Sequence, residues 1–184
     1  INIIGLSAAI TCLLLAVLYW KDERSYDSFH TNNPYLYRIL TNIVNKEGRT
    51  ETNGGTGQVQ GPAFKDAVPE VKNYVRVMGG DIYSDISAGK KALHLQPLFV
   101  DNRFFDVFTF ELLHGNKNDA LRDVSYAVLT ESTAKKFFNS TDVVGKSLQI
   151  DSDPSFEHLG KPLIVSGVVK DPPANSSLQF DLLL

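Results

Sequence analysis

INIIGLSAAITCLLLAVLYW, residues 1–20, carries no Asp, Glu, Lys or Arg. At about 1.5 Å of rise per residue, a helix of this length extends roughly 30 Å, the thickness of a bilayer's hydrocarbon core. Asn2, Ser7 and Thr11 are compatible with such a helix, because small polar side chains in a membrane bond to backbone or to neighbouring helices. Tyr19 and Trp20 close the run, where amphipathic rings favour the headgroup level, and Lys21, Asp22, Glu23 and Arg24 follow at once. A helix in a soluble core is normally shorter and amphipathic. A cleavable signal peptide would show a starting Met, a basic start, a shorter apolar run and a small-residue cleavage site. Ile1 stands first here, and Tyr-Trp-Lys-Asp is a poor cleavage site. The stretch predicts a membrane span that stays in the mature protein, and a chain that is a fragment of a longer one.

All charge lies beyond this span. The chain has 18 basic and 21 acidic residues and a net charge of −3, with the two signs interspersed. No long basic run exists, so nucleic acid is not an expected partner. The single cysteine, Cys12, sits inside the apolar run, so residues after 20 have neither a disulfide nor a thiol nucleophile. An extracytoplasmic location is compatible with this, since a large enough core needs no disulfide.

Along the chain, residues 21–30 (KDERSYDSFH) read as a helical continuation, with Tyr26, Phe29 and His30 at helical spacing. Asn33-Pro34 stops it, because the residue before a proline is driven out of the α region. Residues 35–45 alternate as a strand, with Tyr35, Tyr37, Ile39, Thr41 and Ile43 on one side, and a polar strand returns after Gly48. A short helix is expected from Gly61 to Ala67, a strand over 71–78, a hairpin over 82–95 turning at Gly89, and a strand over 98–101. The phenylalanines of FFDVFTF, residues 104–110, are expected in the core beside Val128, Phe137, Phe138 and Val165. Residues 115–119 read as a loop. Residues 127–130 read as a strand running into a helix over 131–138 with Thr130 as N-cap. Strands over 147–150 and 163–169 flank a polar loop, and a strand is expected over 178–184. Strands and short helices without regular βαβ spacing indicate an α+β fold.

No motif points to catalysis. Val144-Gly145-Lys146-Ser147 resembles the end of a phosphate loop, but position 140 is Ser where the motif has Gly, and a strand rather than a helix follows. Gly55-x-Gly57 has Gln60 in place of the third glycine of a dinucleotide fingerprint. His30, His94, His114 and His158 lack metal-ligand spacing and read as surface or interface residues. No serine occupies a G-x-S-x-G elbow. Catalytic, cofactor-binding and metal-binding residues are therefore all expected to be none.

Six stretches in order, GLSAAITCLLLAVLYWKDERSYDSFH, YLYRI, FFDVFTFELLHGN, YAVLTESTAKKFF, DVVGKSLQI and LIVSGVVKDPPANSSLQFD, resemble MacB-type (FtsX-like) ABC transporter permeases. The likeness is to the first membrane helix and the extracytoplasmic, periplasmic core domain, and covers nearly the whole chain. It implies a transmembrane helix over 1–20, a helical stalk over 21–30, an incomplete membrane-proximal lobe over 31–96 and a distal inserted lobe over 97–184, in a two-lobed mixed α/β domain. It implies an inner-membrane permease with no enzymatic activity of its own. The implied partners are a cytoplasmic ABC ATPase, a second permease copy in a homodimer or heterodimer, membrane lipid, and a periplasmic adaptor or outer-membrane protein. The implied work is export or extraction of a peptide, drug or lipoprotein, driven by ATP hydrolysis on the partner and carried along a stiff helix from Ile4 to about His30. In a bacterial chain the acceptor-like Asn175-Ser176-Ser177 is disregarded. Competing readings are a single-span sensor receptor with an extracytoplasmic ligand-binding domain, and a membrane-anchored enzyme.

Titration calorimetry with Mg-ATP is expected to show no heat of binding to this chain. A micromolar site abolished by Lys146→Ala would overturn that expectation.

Overall fold

The computed structural model describes residues 2–80, 82–151 and 162–184. Helix α1 (Ile3–Glu23) opens with Asn2, whose side-chain oxygen accepts the Gly5 amide at 2.9 Å. Ser7 and Thr11 return their hydroxyls to the carbonyls of Ile3 and Ser7, at 2.8 and 2.9 Å, so neither presents an unpaired polar group. None of its described side chains is buried against the sheet domain, and its length and composition suffice to cross a membrane. At the exit the Arg24 guanidinium lies 4.6 Å over the Trp20 ring.

The expected helical stalk over 21–30 is not a helix beyond Glu23. Ser25 Oγ donates to Asp22 O and Ser28 Oγ to Ser25 O, both at 2.7 Å. Such local hydroxyl bonds offer the backbone an alternative to the helical ladder. Asp27 then takes a left-handed conformation, φ +55°, which no right-handed helix can contain. Residues 24–30 form an elbow of turns.

The expected long strand over 35–45 is reduced to β1 (Thr41–Val44), which pairs antiparallel with β2 (Thr50–Asn53). A two-stranded ribbon with no covering layer buries neither face, and Tyr35 and Tyr37 are 80% and 87% exposed. Helix α2 (Gln60–Ala67) matches the expected short helix. The strand expected over 71–78 shrinks to β3 (Val77–Gly79). The hairpin is β4 (Ser84–Ala88) and β5 (Lys91–Leu95), joined through Gly89 at φ +61°.

Next come β6 (Pro97–Val100), α3 (Phe104–Val107), β7 (Leu112–Gly115), β8 (Tyr126–Thr130), α4 (Glu131–Phe138), β9 (Ser147–Asp151), β10 (Leu163–Val169) and β11 (Leu182–Leu183). The polar loop expected between β9 and β10, with His158, lies outside the described residues. The strand expected over 178–184 is confined to two residues, which fill a gap between β6 and β8. Thr130 caps α4 as expected, its Oγ1 accepting the Thr133 amide at 3.3 Å. Strand β7 begins where β10 needs a partner. At Gly115, φ +95°, a Cβ would stand 2.5 Å from Ser166 O, so only glycine lets the two backbones approach.

Among the described residues, nine strands form one mixed sheet in the order β3-β6-β11-β8-β10-β9-β4-β5, with β7 also on β10. β8 and β10 are parallel, as are β6 and β11; the other pairs are antiparallel. The expected lobe boundary at 96/97 falls inside this sheet, which takes β3, β4 and β5 from one side and the rest from the other. The fold is α+β.

Strand alternation splits the core in two. On β8, Ala127 and Leu129 point to one face and Val128 to the other, all fully buried. One cluster holds Leu129, Leu148, Val165, Val168 and Leu182, with Phe137 and Phe138 of α4 packed on it. The other holds Leu98, Phe104, Phe110, Val128, Val169 and Phe180, with Phe29, Phe105 and Phe108 against it. The phenylalanine run therefore meets Val128 as expected, but not Val165, Phe137 or Phe138. Their place on the opposite face follows from the one-residue offset between Val128 and Leu129.

Phe104 is fully buried and touches the rings of Phe105, Phe108, Phe110 and Phe180. Phe104→Ala is expected to lower unfolding free energy by about 3–5 kcal/mol. Urea unfolding followed by near-ultraviolet circular dichroism measures this, and a loss no larger than that of a surface substitution would contradict the packing.

Candidate functional site

The motifs weighed from sequence do not converge. Gly145, φ +87°, sits in the turn before β9; its amide donates to Val165 O at 2.8 Å and that of Lys146 to Val143 O at 3.1 Å. Those N–H groups serve the fold and are not presented to a phosphate. The Lys146 ammonium lies 4.5 Å over the Phe138 ring, and Ser147 begins a strand. Gly55 donates to Asn53 Oδ1 at 2.7 Å in a side-chain turn, and Gln60 opens α2 without a preceding strand–helix crossover. Among the described residues no group of three His, Cys, Asp or Glu could hold a metal ion. His94 on β5 is exposed, bonds Asp85 at 2.8 Å and stacks on Tyr83. His114 on β7 reaches Thr141 Oγ1 at 3.2 Å.

His30 is the histidine that departs from the surface expectation, being 2% exposed. It belongs to the constellation that does stand out, the join between α1 and the sheet domain. The elbow is tied at two places. On one side, the Asp27 amide donates to Asn175 O at 2.9 Å, and Asp27 Oδ1 accepts the Ser177 amide at 2.9 Å. Asn175 Nδ2 donates to Ser25 O at 2.8 Å, which is why this acceptor-like asparagine is structural. Asp27 O accepts from Asn33 Nδ2 at 2.7 Å, so the left-handed residue is held from both directions.

On the other side, the Thr31 amide donates to Thr109 Oγ1 at 3.0 Å, and Asn32 Nδ2 donates to Asp106 O and Val107 O. Between these ties Phe29 and His30 enter the phenylalanine cluster, Phe29 edge-on to Phe110 at 5.6 Å. The Thr109 amide donates to His30 Nδ1 at 3.0 Å. Burial pushes the His30 imidazole below its ordinary pKa of 6.5; the Asp27 carboxylate, 3.9 Å from Nε2, opposes that shift. The segment nearest α1 thus rests on residues 106–109 and 175–177, within the region expected to be the distal lobe.

The arrangement ties the segment that leaves α1 to the turn before β11 and to the segment before β7. The sequence signal was present in Tyr26, Phe29 and His30 at helical spacing; the partners at 109 and 175 were not visible because they lie far away in sequence.

Removing the Asn175 side chain takes from the Ser25 carbonyl the one donor that comes from the sheet domain, leaving it the hydroxyl and amide of Ser28. Asn175→Ala is expected to cost about 0.5–1.5 kcal/mol of stability and to speed exchange of the Asp27 amide. Urea unfolding and hydrogen exchange read the two effects, and unchanged exchange at Asp27 would show that the tie does not hold the elbow.

Among solved structures, a domain of a protein described as a permease, from Porphyromonas gingivalis, is 31% identical, with a TM-score of 0.58 over 68% of this chain and 55% of that one. The periplasmic region of MacB from Actinobacillus actinomycetemcomitans is 21% identical, with a TM-score of 0.43 over 65% of this chain and 53% of that one. The extracellular domain of the noncanonic ABC-type transporter YknZ from Gram-positive bacteria is 17% identical, with a TM-score of 0.45 over 64% of this chain and 58% of that one. The chain therefore spans little more than half the length of each of these structures. No curated protein matches it. The family model of the MacB-like periplasmic core domain matches residues 1–184, and the chain, an apolar helix laced to a mixed sheet, belongs to that family of ABC transporter permease domains.

Proposed function

We propose that the chain is part of the permease subunit of an ABC transporter, anchored in the inner membrane by α1 with residues after about 30 outside the cytoplasm. In this reading its sheet domain couples cytoplasmic ATP hydrolysis to export or extraction of a peptide, drug or lipoprotein. A cytoplasmic ABC ATPase drives it, a second permease copy completes it, and an adaptor or outer-membrane protein receives the cargo. The observation that carries the reading is the join: the membrane-length helix is tied by backbone and side-chain bonds to two separate turns of the domain, at Asn175 and Ser177 and at Asp106 to Thr109. A tether that only anchored a domain would need no such lacing. Coupling here does not require the stiff helix to His30, because the elbow supplies the connection by packing.

The test uses the full-length permease with its ATPase in membrane vesicles. The double substitution Asp27→Ala, Asn175→Ala is expected to leave assembly and ATP hydrolysis in place and to lower transport several-fold. A permease that copurifies with no ATPase, or transport that persists at the parent rate once the elbow is free, would overturn the proposal.

A further inference from the structure

The His30 ring is enclosed by Phe29, Phe108 and Phe110, with ring centroids at 4.1, 5.2 and 5.2 Å. A backbone amide can only donate, so the bond from Thr109 N–H requires an unprotonated Nδ1 and places the ring's one proton on Nε2. Nε2 is buried and has no hydrogen-bond partner. The carboxylate nearest to it, Asp27 Oδ1, stands 3.9 Å away and is already engaged by the Ser177 amide. Asp106 is the one ionisable residue of the 104–110 segment packed on the ring, and its side chain is exposed; residues 172–177 carry none.

We propose that His30 is a proton-sensitive latch: neutral, it accepts the Thr109 amide and holds the elbow on the phenylalanine cluster; protonated, it lets go, so mild acid outside the cytoplasm loosens the join between α1 and the sheet domain. A proton added to Nδ1 from solvent would set donor against donor and put a charge among three phenylalanines. The seated elbow therefore holds fewer protons than the released one. Burial lowers the pKa of the seated ring, and Asp27 limits the shift without reversing it. The sign follows: seating is fully supported above the ordinary value of about 6.5, weakens as pH falls through it, and stops weakening only below the lowered value of the seated ring. This inference goes beyond the transport reading; the side of the membrane on which the acid acts rests on that reading, and the latch itself on the join.

The test is hydrogen exchange by mass spectrometry on the full chain in lipid nanodiscs, with rates corrected for intrinsic pH dependence. Protection of peptides covering residues 24–32 and 106–112 is compared at about pH 7.5 and about pH 5.5, and is expected to fall several-fold in acid, by at most about tenfold per pH unit below about 6.5. His30→Asn offers Oδ1 in place of Nδ1 and cannot titrate, so its protection should not respond to pH. Asp27→Asn keeps the acceptor for Ser177 and a residue type that tolerates the left-handed conformation. It removes the opposing charge, so its loss in acid should exceed that of the parent. Constant protection in the parent, an equal fall in His30→Asn, or a smaller fall in Asp27→Asn would each overturn the latch. Because the Asp27→Asn comparison stands by itself, a misfolded His30→Asn leaves the question decidable.

Discussion

The last carbonyls of a helix have no partner within the helix, and a helix leaving a membrane must satisfy them at the surface where it emerges. At the end of α1 the Asp22 carbonyl takes the amide and hydroxyl of Ser25, and just beyond the helix the Ser25 carbonyl takes the hydroxyl of Ser28 and the side-chain amide of Asn175. This choice of partners decides the rest of the join. The serines end the helical ladder, Asp27 turns left-handed, and Phe29 and His30 are thereby aimed into the sheet domain and away from solvent.

The domain that receives them is held by one central pair of strands. β8 and β10 run parallel in the middle of the sheet, and their alternating side chains supply both cores. A core residue of this size contributes about 1.5–3 kcal/mol on burial, so each face is anchored by several such terms. The face under α4 is aliphatic with two phenylalanines at its edge. The face under the elbow is built of stacked and edge-on phenylalanines, whose rigid rings give the inserted Phe29 and His30 defined neighbours.

The pairs Lys135–Glu131 and Lys170–Glu111 are exposed and contribute little to stability. What distinguishes the molecule is the laced join between an apolar helix and a mixed sheet.

The sequence by itself determined the local elements. The uncharged run before Lys21, the capped helix after Thr130, the glycine turn at Gly89 and the aromatic density of residues 104–110 were legible because their causes lie within a few residues. The family likeness was legible for the same reason, six local patterns in order. Tertiary structure alone decided where α1 stops, since the partner that holds Ser25 is Asn175, and serine hydroxyl bonds compete with a helix only when the released chain has somewhere to go. It also decided that 35–45 is mostly not a strand, because alternation specifies a strand only when another layer covers one face. Above all it decided that His30 is interior: a histidine's burial depends on Thr109 and three phenylalanine rings, two of them distant in sequence, brought to it by the fold of the sheet.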